Sequence, residues 1–463
     1  MKIRVIIGSS LRIEGPVEHE LEEYLKQRLT IVNPVWLENQ KFGRYNQGVK
    51  KHLQFYWKRG DVITMPRGFA RQLLTWVSKS DMEYDLVDET RILPEIQFGF
   101  MGELYGFQQH AAQRILSRRF GVARMPTGAG KTVLALYCIS ERAQPAVVVV
   151  HTKELLYQWR DRALDFLDIR EQDIGLVGDG KKQMDRSLTI CVVNSLYKCA
   201  GQLKKGTGHL IVDECHRIPS RSFTVAVRTF DSRYMLGLSA TPFRRDGLTP
   251  LIPLYMGDSI CEVNAMDLQE KGRISRAKLV VRNTCFDYPY EDDYHQMISA
   301  LVGDYDRNLL IASDAVEFHA TGSGTALVVS DRKSHCRALG SLMADKGARV
   351  SVLTGDLPDV KRKEIVRSVN QGEVDILVAT VQLIGEGFDC PALSALFMAT
   401  PVKFSGRVLQ VVGRVLRAQQ GKEKATVFDY VDKPGVLQAS FQSRLEAYRQ
   451  LGLKGQSPLR FRS

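Results

Sequence analysis

The sequence lacks any ordered spacing among its cysteines. Its eight cysteines are scattered over 463 residues, with no Cys-x-x-Cys pair and no cysteine and histidine set at the spacing of a zinc site. This absence excludes a disulfide framework and gives no support to a structural zinc. We therefore expect the cysteines to be small, buried side chains in a reducing compartment.

Long hydrophobic runs are also missing. No stretch approaches the ~18 consecutive apolar residues that a membrane span needs. The apolar run at the N-terminus, residues 1–7, is far too short for a signal peptide. We expect a cytoplasmic protein with no membrane partner.

Acidic residues are scarce relative to basic ones. Lysine and arginine number 64 and aspartate and glutamate 52, which gives a net charge of +12 and a pI near 9.2. An excess of this size favours a polyanionic partner, nucleic acid first and an anionic membrane surface second. A length of 463 residues favours two or three domains, and 44% hydrophobic with 25% charged residues is typical of a globular chain.

Residues 1–98 are predicted to form a small α+β unit that begins with a strand, residues 1–7, and an acidic amphipathic helix, Val17–Leu29. Between Lys41 and Lys79, basic and aromatic residues are interleaved with a single acid. The basic residues are Lys41, Arg44, Lys50, Lys51, Lys58, Arg59, Arg67, Arg71 and Lys79, and the aromatic residues interleaved with them include Phe42, Tyr45, Phe55, Tyr56, Trp57 and Trp76. This mixture suits nucleic acid, because cations neutralise phosphates and rings stack on bases. An equally good interpretation is a small core with a solvated basic face.

Beyond residue 98 the chain alternates short apolar runs with amphipathic segments of helical period. Runs such as Val147–Val150 and Leu210–Val212 are typical of parallel strands buried on both faces. The alternation predicts an α/β fold with two tandem, doubly wound parallel-sheet domains. The predicted boundaries are residues 99–255 for the first domain, 256–308 for a connector, 309–435 for the second domain and 436–463 for a basic C-terminal tail.

The chain is organised around a glycine-rich stretch from Met125 to Thr132. A loop of this kind that opens a helix directs backbone N–H groups and the helix dipole at one point, which suits a phosphate chain. Lys131 is expected to reach the β- and γ-phosphates of ATP, and the Thr132 hydroxyl to bind Mg²⁺. The strict pattern asks for glycine where Met125 stands. The predicted nucleotide contacts of this loop are Thr127, Gly128, Ala129, Gly130, Lys131 and Thr132.

Ahead of this loop, Gln108 follows an aromatic residue, Phe107. An aromatic side chain can stack on an adenine while a neighbouring glutamine hydrogen-bonds to it. We therefore add Gln108 to the predicted nucleotide contacts.

Asp213 and Glu214 directly follow the apolar run Leu210–Val212. A carboxylate at the carboxyl end of a strand can hold Mg²⁺ opposite Thr132, and an adjacent glutamate can polarise the attacking water. We therefore predict that Asp213 binds Mg²⁺ and that both acids are catalytic. The later stretch Ser239–Thr241 either relays the state of the γ-phosphate or forms an ordinary turn.

Two arginines, Arg414 and Arg417, stand three residues apart on one predicted helical face of the second α/β domain. That domain has no phosphate loop of its own, so the arginines are surface charges unless a triphosphate faces them. Across a cleft between domains they act as arginine fingers that neutralise charge developing on the γ-phosphate. The ordered set of motifs favours catalytic arginines.

Taken together, these stretches resemble helicase superfamily 2 over about residues 104–432. The matching stretches are Gln108 (Q motif), Gly128–Thr132 (motif I), Val150–Leu155 with Gln158 and Trp159 (Ia), Asp213–His216 (II), Ser239–Thr241 (III), Leu327–Asp331 (IV), Thr380–Asp389 (V) and Gln410–Arg417 (VI). Within the superfamily the chain is similar to the XPB-like and UvsW-like DNA helicases. It departs from the Arg-Glu-Asp element of XPB proteins, since the aligned triplet is Arg244-Arg245-Asp246.

The resemblance implies two RecA-like domains that close on ATP and Mg²⁺, and it adds Gly387 and Asp389 to the predicted nucleotide contacts. It implies an ATP hydrolase that moves 3′→5′ on single-stranded, forked or branched DNA, in repair or recombination, with a nuclease or repair protein as a possible partner. Two alternatives stay open. One is a duplex DNA translocase that separates no strands, in a restriction or repair complex. The other is an ATP-gated clamp on nucleic acid that hydrolyses nothing.

Overall fold

A computed structural model describes residues 2–80, 82–217, 221–240, 246–321, 324–385, 390, 392–402, 405–416 and 424–455. The chain divides into two compact units, one of residues 1–125 and 130–263, the other of residues 126–129 and 264–463. All eight cysteines lie in the described ranges and are free thiols, seven of them buried. Among the described residues, no helix is long and apolar enough to cross a lipid bilayer.

The N-terminal part of the first unit is a small α+β layer. Its strands are β1 (Lys2–Ile7), β2 (Leu11–Glu14), β3 (Thr30–Val32), β4 (His52–Gln54), β5 (Trp57–Arg59), β6 (Val62–Met65) and β7 (Glu83–Asp88), and its helices are α1 (His19–Leu29), α2 (Pro34–Lys41) and α3 (Ala70–Val77). Five strands form a sheet in the order β5-β6-β2-β1-β7, while β3 and β4 form a separate antiparallel pair. The strand and the helix predicted at the N-terminus are confirmed.

The rest of the first unit is a parallel sheet covered by helices. Its strands are β8 (Gly99–Phe100), β9 (Phe120–Arg124), β10 (Ala146–Val150), β11 (Leu167–Asp168), β12 (Ile174–Gly178), β13 (Lys181–Lys182), β14 (Leu188–Val192), β15 (His209–Val212), β16 (Tyr234–Ser239) and β17 (Ser259–Glu262). Its helices are α4 (Gly106–Leu116), α5 (Lys131–Arg142), α6 (Lys153–Phe166), α7 (Val193–Leu203), α8 (Arg221–Thr229) and α9 (Leu251–Met256). Eight of these strands form a sheet in the order β13-β12-β14-β10-β15-β16-β9-β17, in which β13 is antiparallel to β12, while β8 and β11 form a separate antiparallel pair. All five residues of β10 are buried, as expected of a strand covered on both faces.

One hydrophobic core is shared by the N-terminal layer and this parallel sheet. The guanidinium of the buried residue Arg67 crosses between them and donates to the carbonyl oxygens of Gly8 at 3.5 Å and Ser232 at 3.0 Å. Arg91 pairs with Asp231 at 2.8 Å beside it. The two layers therefore form one body, although the sequence marks a change of composition between them.

The second unit is also a parallel sheet with helices. Its strands are β18 (Arg276–Asn283), β19 (Thr325–Ser330), β20 (Val350–Leu353), β21 (Ile376–Thr380), β22 (Leu393–Met398), β23 (Lys424–Val431) and β24 (Lys454–Gly455). Its helices are α10 (Ala265–Glu270), α11 (Tyr294–Gly303), α12 (Tyr305–Ala320), α13 (Lys333–Asp345), α14 (Asp359–Asn370), α15 (Val381–Gly385), α16 (Ser405–Val415) and α17 (Gly435–Gln450). The strand order is β20-β21-β19-β22-β23-β18-β24. The predicted fold class, two doubly wound parallel sheets behind a small α+β layer, is confirmed.

Residues 256–308, predicted as a connector, contribute a strand to each sheet. Strand β17 pairs with β9 in the first unit, and β18 pairs with β23 over eight residues in the second. The search for continuous apolar runs did not reveal β18, because half of its residues are polar or charged and exposed. The domain boundaries themselves stay predictions.

Candidate functional site

Four neighbouring strands of the first sheet, β10, β15, β16 and β9, run parallel and end at one edge. The chain leaves this edge through His151, Asp213 and Met125, and β16 ends there with Ser239. Ligands of open α/β sheets bind beyond the carboxyl ends of the strands. The fold therefore gathers the predicted loop and the predicted acids at one place.

The glycine-rich loop reaches α5 through a left-handed residue. Gly130 caps the helix with φ 74° and ψ 37°, and Gly128 has φ 88°. A Cβ atom on Gly130 would lie 2.4 Å from Nε2 of Gln108. The left-handed backbone angle favours glycine at residue 130, and a Cβ there would displace the Gln108 amide. Helix α5 begins at Lys131, directly after the loop, and the first N–H groups of a helix have no carbonyl partner within the helix.

Met125, which stands where the strict pattern has glycine, does not adopt a positive φ. Its side chain is buried, and its N–H donates to the Ser239 carbonyl oxygen at 3.0 Å. Its own carbonyl oxygen accepts from Nζ of Lys131 at 3.3 Å. Methionine fits at residue 125 because the backbone there does not need the positive φ that favours glycine, and because the side chain is buried.

Gln108 is buried and joins α4 to the loop. Its Oε1 accepts from the Tyr105 N–H at 2.9 Å, within a capping box at the start of α4. Its Nε2 donates to the Gly130 carbonyl oxygen at 3.4 Å. The structure thus shows Gln108 beside the loop, in a position to set its conformation, and its contact with adenine stays a prediction.

Asp213 is buried at the end of β15 with both carboxylate oxygens hydrogen-bonded. Oδ2 accepts from Nε1 of Trp159 at 2.9 Å, and Oδ1 accepts from the Glu214 N–H at 2.9 Å. Burial and the charge of Glu214 raise the pKa of Asp213, while the Trp159 hydrogen bond and the charge of Lys131 act in the other direction. The orientation of this carboxylate is therefore fixed by a tryptophan in α6.

Glu214 has the left-handed backbone angle φ 50°, which is rare for a residue with a side chain. Its Oε2 lies 3.2 Å from Nδ1 of His216. Burial raises the pKa of Glu214, but the interaction with His216 and the charge of Lys131 outweigh it and lower the pKa to about 2. Glu214 is therefore held as a carboxylate. Strained backbone of this kind is concentrated at functional sites.

His216 joins the acids to the neighbouring strand, because its Nδ1 also lies 3.0 Å from the Ser239 hydroxyl. His151 lies beside them, and burial together with the charge of Arg217 lowers its pKa to about 3. Ser239 is thus connected to Glu214 through one imidazole. Of the predicted stretch Ser239–Thr241, Thr241 lies outside the described residues.

The sequence analysis missed Trp159 and His151 as site residues. Trp159 carried the signal of a core position, since it falls on the apolar face of the amphipathic helix α6. Its buried indole N–H needed an acceptor, and only the fold shows that the acceptor is Asp213. His151 directly follows a buried strand, as Asp213 does, and it lies in the stretch Val150–Leu155 that resembles motif Ia, but neither observation gave it a role.

Comparison with known proteins agrees with this geometry. The family model described as "Type III restriction enzyme, res subunit" matches residues 102–244, and that described as "Helicase conserved C-terminal domain" matches residues 308–419. The chain is 25% identical over 395 residues to the DNA 3′-5′ translocase XPB2 of Sulfurisphaera tokodaii, covering 77% of this chain and 88% of the relative. It is 26% identical over 355 residues to the ATP-dependent DNA helicase uvsW of Enterobacteria phage T4, covering 72% and 69%.

The chain is a superfamily 2 helicase that is similar to the XPB-like and UvsW-like members. Its class is that of ATP-hydrolysing helicases, which use a nucleotide and act on nucleic acid. The Pyrococcus furiosus Hef helicase domain has a similar fold, with a TM-score of 0.50 and 14% identity over 73% of this chain and 97% of that domain. The resemblance inferred from the motifs is confirmed.

The predicted site residues of this helicase's second unit are only partly described. Arg414 lies one residue before the C-terminal end of α16 and is half-buried. Gly387, Asp389 and Arg417 lie outside the described residues, as does most of the triplet at 244–246. Their roles, and that of Arg414, stay predictions.

The structure divides the aromatic residues of the basic N-terminal segment into two groups. Phe55, Tyr56 and Trp76 pack against the core, and Trp76 stacks on Tyr24 with a centroid distance of 5.2 Å. Phe42, Tyr45 and Trp57 are exposed. Some rings of this segment therefore build a core and others face solvent, and binding of nucleic acid by the segment stays a prediction.

Proposed function

We propose that this superfamily 2 helicase is an ATP-dependent DNA helicase or translocase that couples hydrolysis to movement along DNA. The observation that carries the proposal is the assembly at one sheet edge of Lys131, Asp213 and Glu214, in which the charge of Lys131 acts on both carboxylates. A cation beside a helix N-terminus binds phosphates, and two carboxylates of different protonation behaviour provide a metal ligand and a base.

The residues of the glycine-rich loop and those that follow β15 divide the chemistry among themselves. The backbone from Gly128 to Thr132 and the Lys131 ammonium bind the phosphates of ATP and neutralise their charge. Glu214, held as a carboxylate, orients the attacking water and accepts its proton. His216 fixes the Glu214 side chain and, through Ser239, joins the state of the site to a neighbouring strand.

The donors beside the loop fit Mg²⁺. A buried carboxylate at Asp213 and a hydroxyl at Thr132 are hard oxygen ligands, which Mg²⁺ prefers over nitrogen or sulfur. The Trp159 and Glu214 N–H groups hold the Asp213 carboxylate in one orientation and leave its remaining lone pairs free for a metal. Bound there, Mg²⁺ would neutralise the phosphate oxygens. Thr132 and Asp213 are the residues that would hold it.

The second unit is proposed to complete the catalytic site with Arg414 and Arg417 as arginine fingers and with Gly387 and Asp389 as nucleotide contacts. Support comes from the order of the motifs and from the absence of a phosphate loop in that part of the sequence. The same reasoning supports the predicted division into an accessory domain, two helicase domains, a connector and a basic tail.

DNA is proposed as the substrate because the chain carries a net charge of +12 and its relatives are named a DNA translocase and a DNA helicase. The first of these names also supports 3′→5′ movement. Single-stranded, forked or branched DNA, a role in repair or recombination, and a nuclease or repair protein as partner belong to the same proposal. Free thiols at all eight cysteines support a reducing compartment such as the cytoplasm.

The test is the ATPase rate with single-stranded DNA, duplex DNA, forked DNA and RNA, beside strand-displacement and triplex-displacement assays. Stimulation by DNA with strand displacement is the expected result. Triplex displacement without strand displacement would favour the second candidate, a duplex translocase, which the name of one relative supports. Nucleotide binding without turnover would reduce the chain to an ATP-gated clamp.

A further inference from the structure

An ordered excursion of the N-terminal layer, residues 33–51 between β3 and β4, exposes apolar side chains. Within it, none of the eight residues of α2, all of them described, is buried. The exposed fractions are 53% for Val35, 49% for Leu37, 59% for Phe42 and 96% for Tyr45. We call residues 33–51 the arm. A short helix with no buried residue contributes little to folding, so its exposed apolar side chains point to a role in binding.

Hydrogen bonds within the arm give it a defined conformation. At its base, the Asn33 N–H donates to the Lys51 carbonyl oxygen at 2.8 Å and Asn33 Nδ2 to the Lys50 carbonyl oxygen at 2.8 Å. Across its middle, Nδ2 of Asn39 donates to Oδ1 of Asn46 at 3.0 Å, and Nδ2 of Asn46 donates to the Trp36 carbonyl oxygen at 3.2 Å. These side-chain bonds hold the exposed rings in place without burying them.

Cations lie beside the aromatic rings of the arm. The Arg44 guanidinium is 5.4 Å and the Lys41 ammonium 6.0 Å from the centroid of Phe42, and the Lys51 ammonium is 5.1 Å from that of Trp36. The arm carries four cations, Lys41, Arg44, Lys50 and Lys51, against one acid, Glu38. An apolar peptide would gain nothing from this charge, whereas a polyanion with flat rings matches both features.

The base of the arm lies beside the chain that follows β16. A Cβ atom on Gly247 would be 3.0 Å from the ring of Pro34, the first residue of α2. Gly247 belongs to the segment between β16 and α9 of the same unit. The base of the arm is therefore packed against the parallel-sheet part of the first unit.

We propose that the arm binds unpaired bases of nucleic acid, with Phe42 and Tyr45 as stacking surfaces and its four cations on the phosphates. Base faces are accessible only where a strand is unpaired, so rings exposed to this degree select single-stranded segments over duplex. The inference deepens the proposed function and rests on it. It names the part of a forked or tailed DNA that the N-terminal layer contacts.

The first test measures the affinity of the full chain for labelled oligothymidylate, blunt duplex and tailed duplex. The variant Phe42→Ala with Tyr45→Ala should bind oligothymidylate and the tailed duplex about tenfold or more weakly, because each stacked base contributes at this level. Its affinity for blunt duplex should stay unchanged. Tyr197→Ala with Tyr305→Ala, which removes two rings of 58% and 63% exposure elsewhere, should change none of the three.

Two further variants distinguish ring stacking from general apolar contact and from phosphate binding. Phe42→Leu with Tyr45→Leu keeps apolar area and removes the ring faces, so it should bind as weakly as the alanine variant. Replacing the four cations by alanine should reduce the slope of log affinity against log salt by about 3 on single strands, since each phosphate contact contributes roughly 0.7. The aromatic variants should leave that slope unchanged.

Unchanged affinity for oligothymidylate in the alanine variant would overturn the proposal. So would full affinity in the leucine variant, which would indicate an apolar partner such as another protein, or an equal loss on blunt duplex, which would indicate backbone recognition. Because Phe42 and Tyr45 are exposed, thermal melts of the aromatic variants should match those of the unmodified protein. An absence of ATPase activity in the unmodified protein would refute the proposed function, while these binding results would still test the arm.

Discussion

In the first parallel sheet the carboxylates Asp213 and Glu214 lie at the carboxyl edge beside Lys131, whereas in the second sheet Asp429 and Asp432 are closed off by arginines. Arg444 donates to both oxygens of Asp429 at 2.7 and 2.8 Å, and Tyr448 donates to it at 2.6 Å. The nearest contact between Arg307 and Asp432 is 2.8 Å, with both side chains 1% exposed. Two sheets of the same winding thus use buried charge in two ways.

The difference follows from how far each charge is neutralised within the fold. Bidentate pairs such as Arg444–Asp429 satisfy both partners and have no capacity left for a ligand. At the first sheet Asp213 accepts hydrogen bonds from Trp159 and a backbone N–H, while Lys131, whose charge acts on both acids, donates to a carbonyl oxygen. We infer that the carboxylates at the edge of the first sheet take part in catalysis. The buried ion pairs of the second unit instead stabilise that unit.

The largest effects are expected from substitutions at the carboxyl edge of the first sheet, where they should stop ATP hydrolysis. Lys131→Ala should abolish ATP turnover, because it removes the cation that binds the phosphates. Glu214→Gln should keep ATP and DNA binding and reduce kcat about 10²–10⁴-fold, since only the base is lost. Steady-state ATPase assays beside nucleotide-binding titrations check both. Full activity of the glutamine variant would refute the role of Glu214.

The next prediction asks whether the second unit contributes to catalysis at all. If Arg414 is an arginine finger, Arg414→Ala should reduce kcat on the order of 10³-fold or more while KM for ATP changes little. Arg414→Lys should restore little, because lysine lacks the planar guanidinium that donates to two oxygens. DNA-stimulated ATPase assays of both variants are the measurement, and thermal melts control for folding. A normal kcat in a well-folded alanine variant would leave the second unit without this catalytic role.

The buried pairs of the second unit should affect stability instead. Arg444→Met leaves Asp429 buried without its cation and should cost about 3–5 kcal/mol of unfolding free energy. The double variant Arg444→Met with Asp429→Asn should cost clearly less than the sum of the two single variants, because no uncompensated charge remains. Denaturant unfolding of the four proteins gives this cycle. Additive effects would mean that the pair is not coupled.

Arg67 offers a contrast within the first unit, because its described hydrogen bonds go to carbonyl oxygens and to the Met235 sulfur. Burial lowers the pKa of Arg67 to about 10, because the charged guanidinium is less well solvated in the fold than in water. Arg67→Met should lower stability by about 1–3 kcal/mol, since the Gly8 and Ser232 carbonyls lose a donor. Chemical unfolding is the measurement. A loss as large as that of Arg444→Met would show that carbonyls hold a buried arginine as firmly as a carboxylate does.

The smallest expected effect concerns His335 of α13. Burial and the charge of Arg307 lower the pKa of His335 to about 3, and its ring nitrogens lie 2.9 Å from the Ser330 hydroxyl and 2.8 Å from Oδ1 of Asn308. The unfolded chain, with a histidine pKa of about 6.5, takes up the proton first. Stability that is present above this pKa is therefore lost as pH falls towards 3, by up to about 2 kcal/mol between pH 7 and pH 5.

The control for this prediction is His335→Gln, which does not titrate. The stability difference between the unmodified protein and this variant should shrink by up to about 2 kcal/mol over the same pH interval. Urea unfolding at several pH values measures it. A difference that does not change with pH would mean that His335 is not held neutral by the fold.

The parallel strands, the phosphate loop and the acidic pair could all be predicted from the sequence alone. Strands buried on both faces must be continuously apolar, and a loop that turns N–H groups towards one point must contain glycine, so Val147–Val150 and Gly130 are visible without coordinates. The motif order was enough to indicate the superfamily. Each of these features depends on residues close together in the chain, so each leaves a recognisable pattern in the sequence.

Contacts between residues that are far apart in the chain are visible in the folded structure and not in the sequence. Trp159 orients Asp213, His216 joins Glu214 to Ser239, and a Cβ on Gly130 would meet Gln108. Each of these contacts depends on strands or helices that are separated in the chain. Composition likewise could not separate the rings of the basic segment, because Trp76 and Tyr45 look alike in sequence. One is partly buried against Tyr24 of α1, and the other lies in the open, on an arm that asparagine hydrogen bonds hold together.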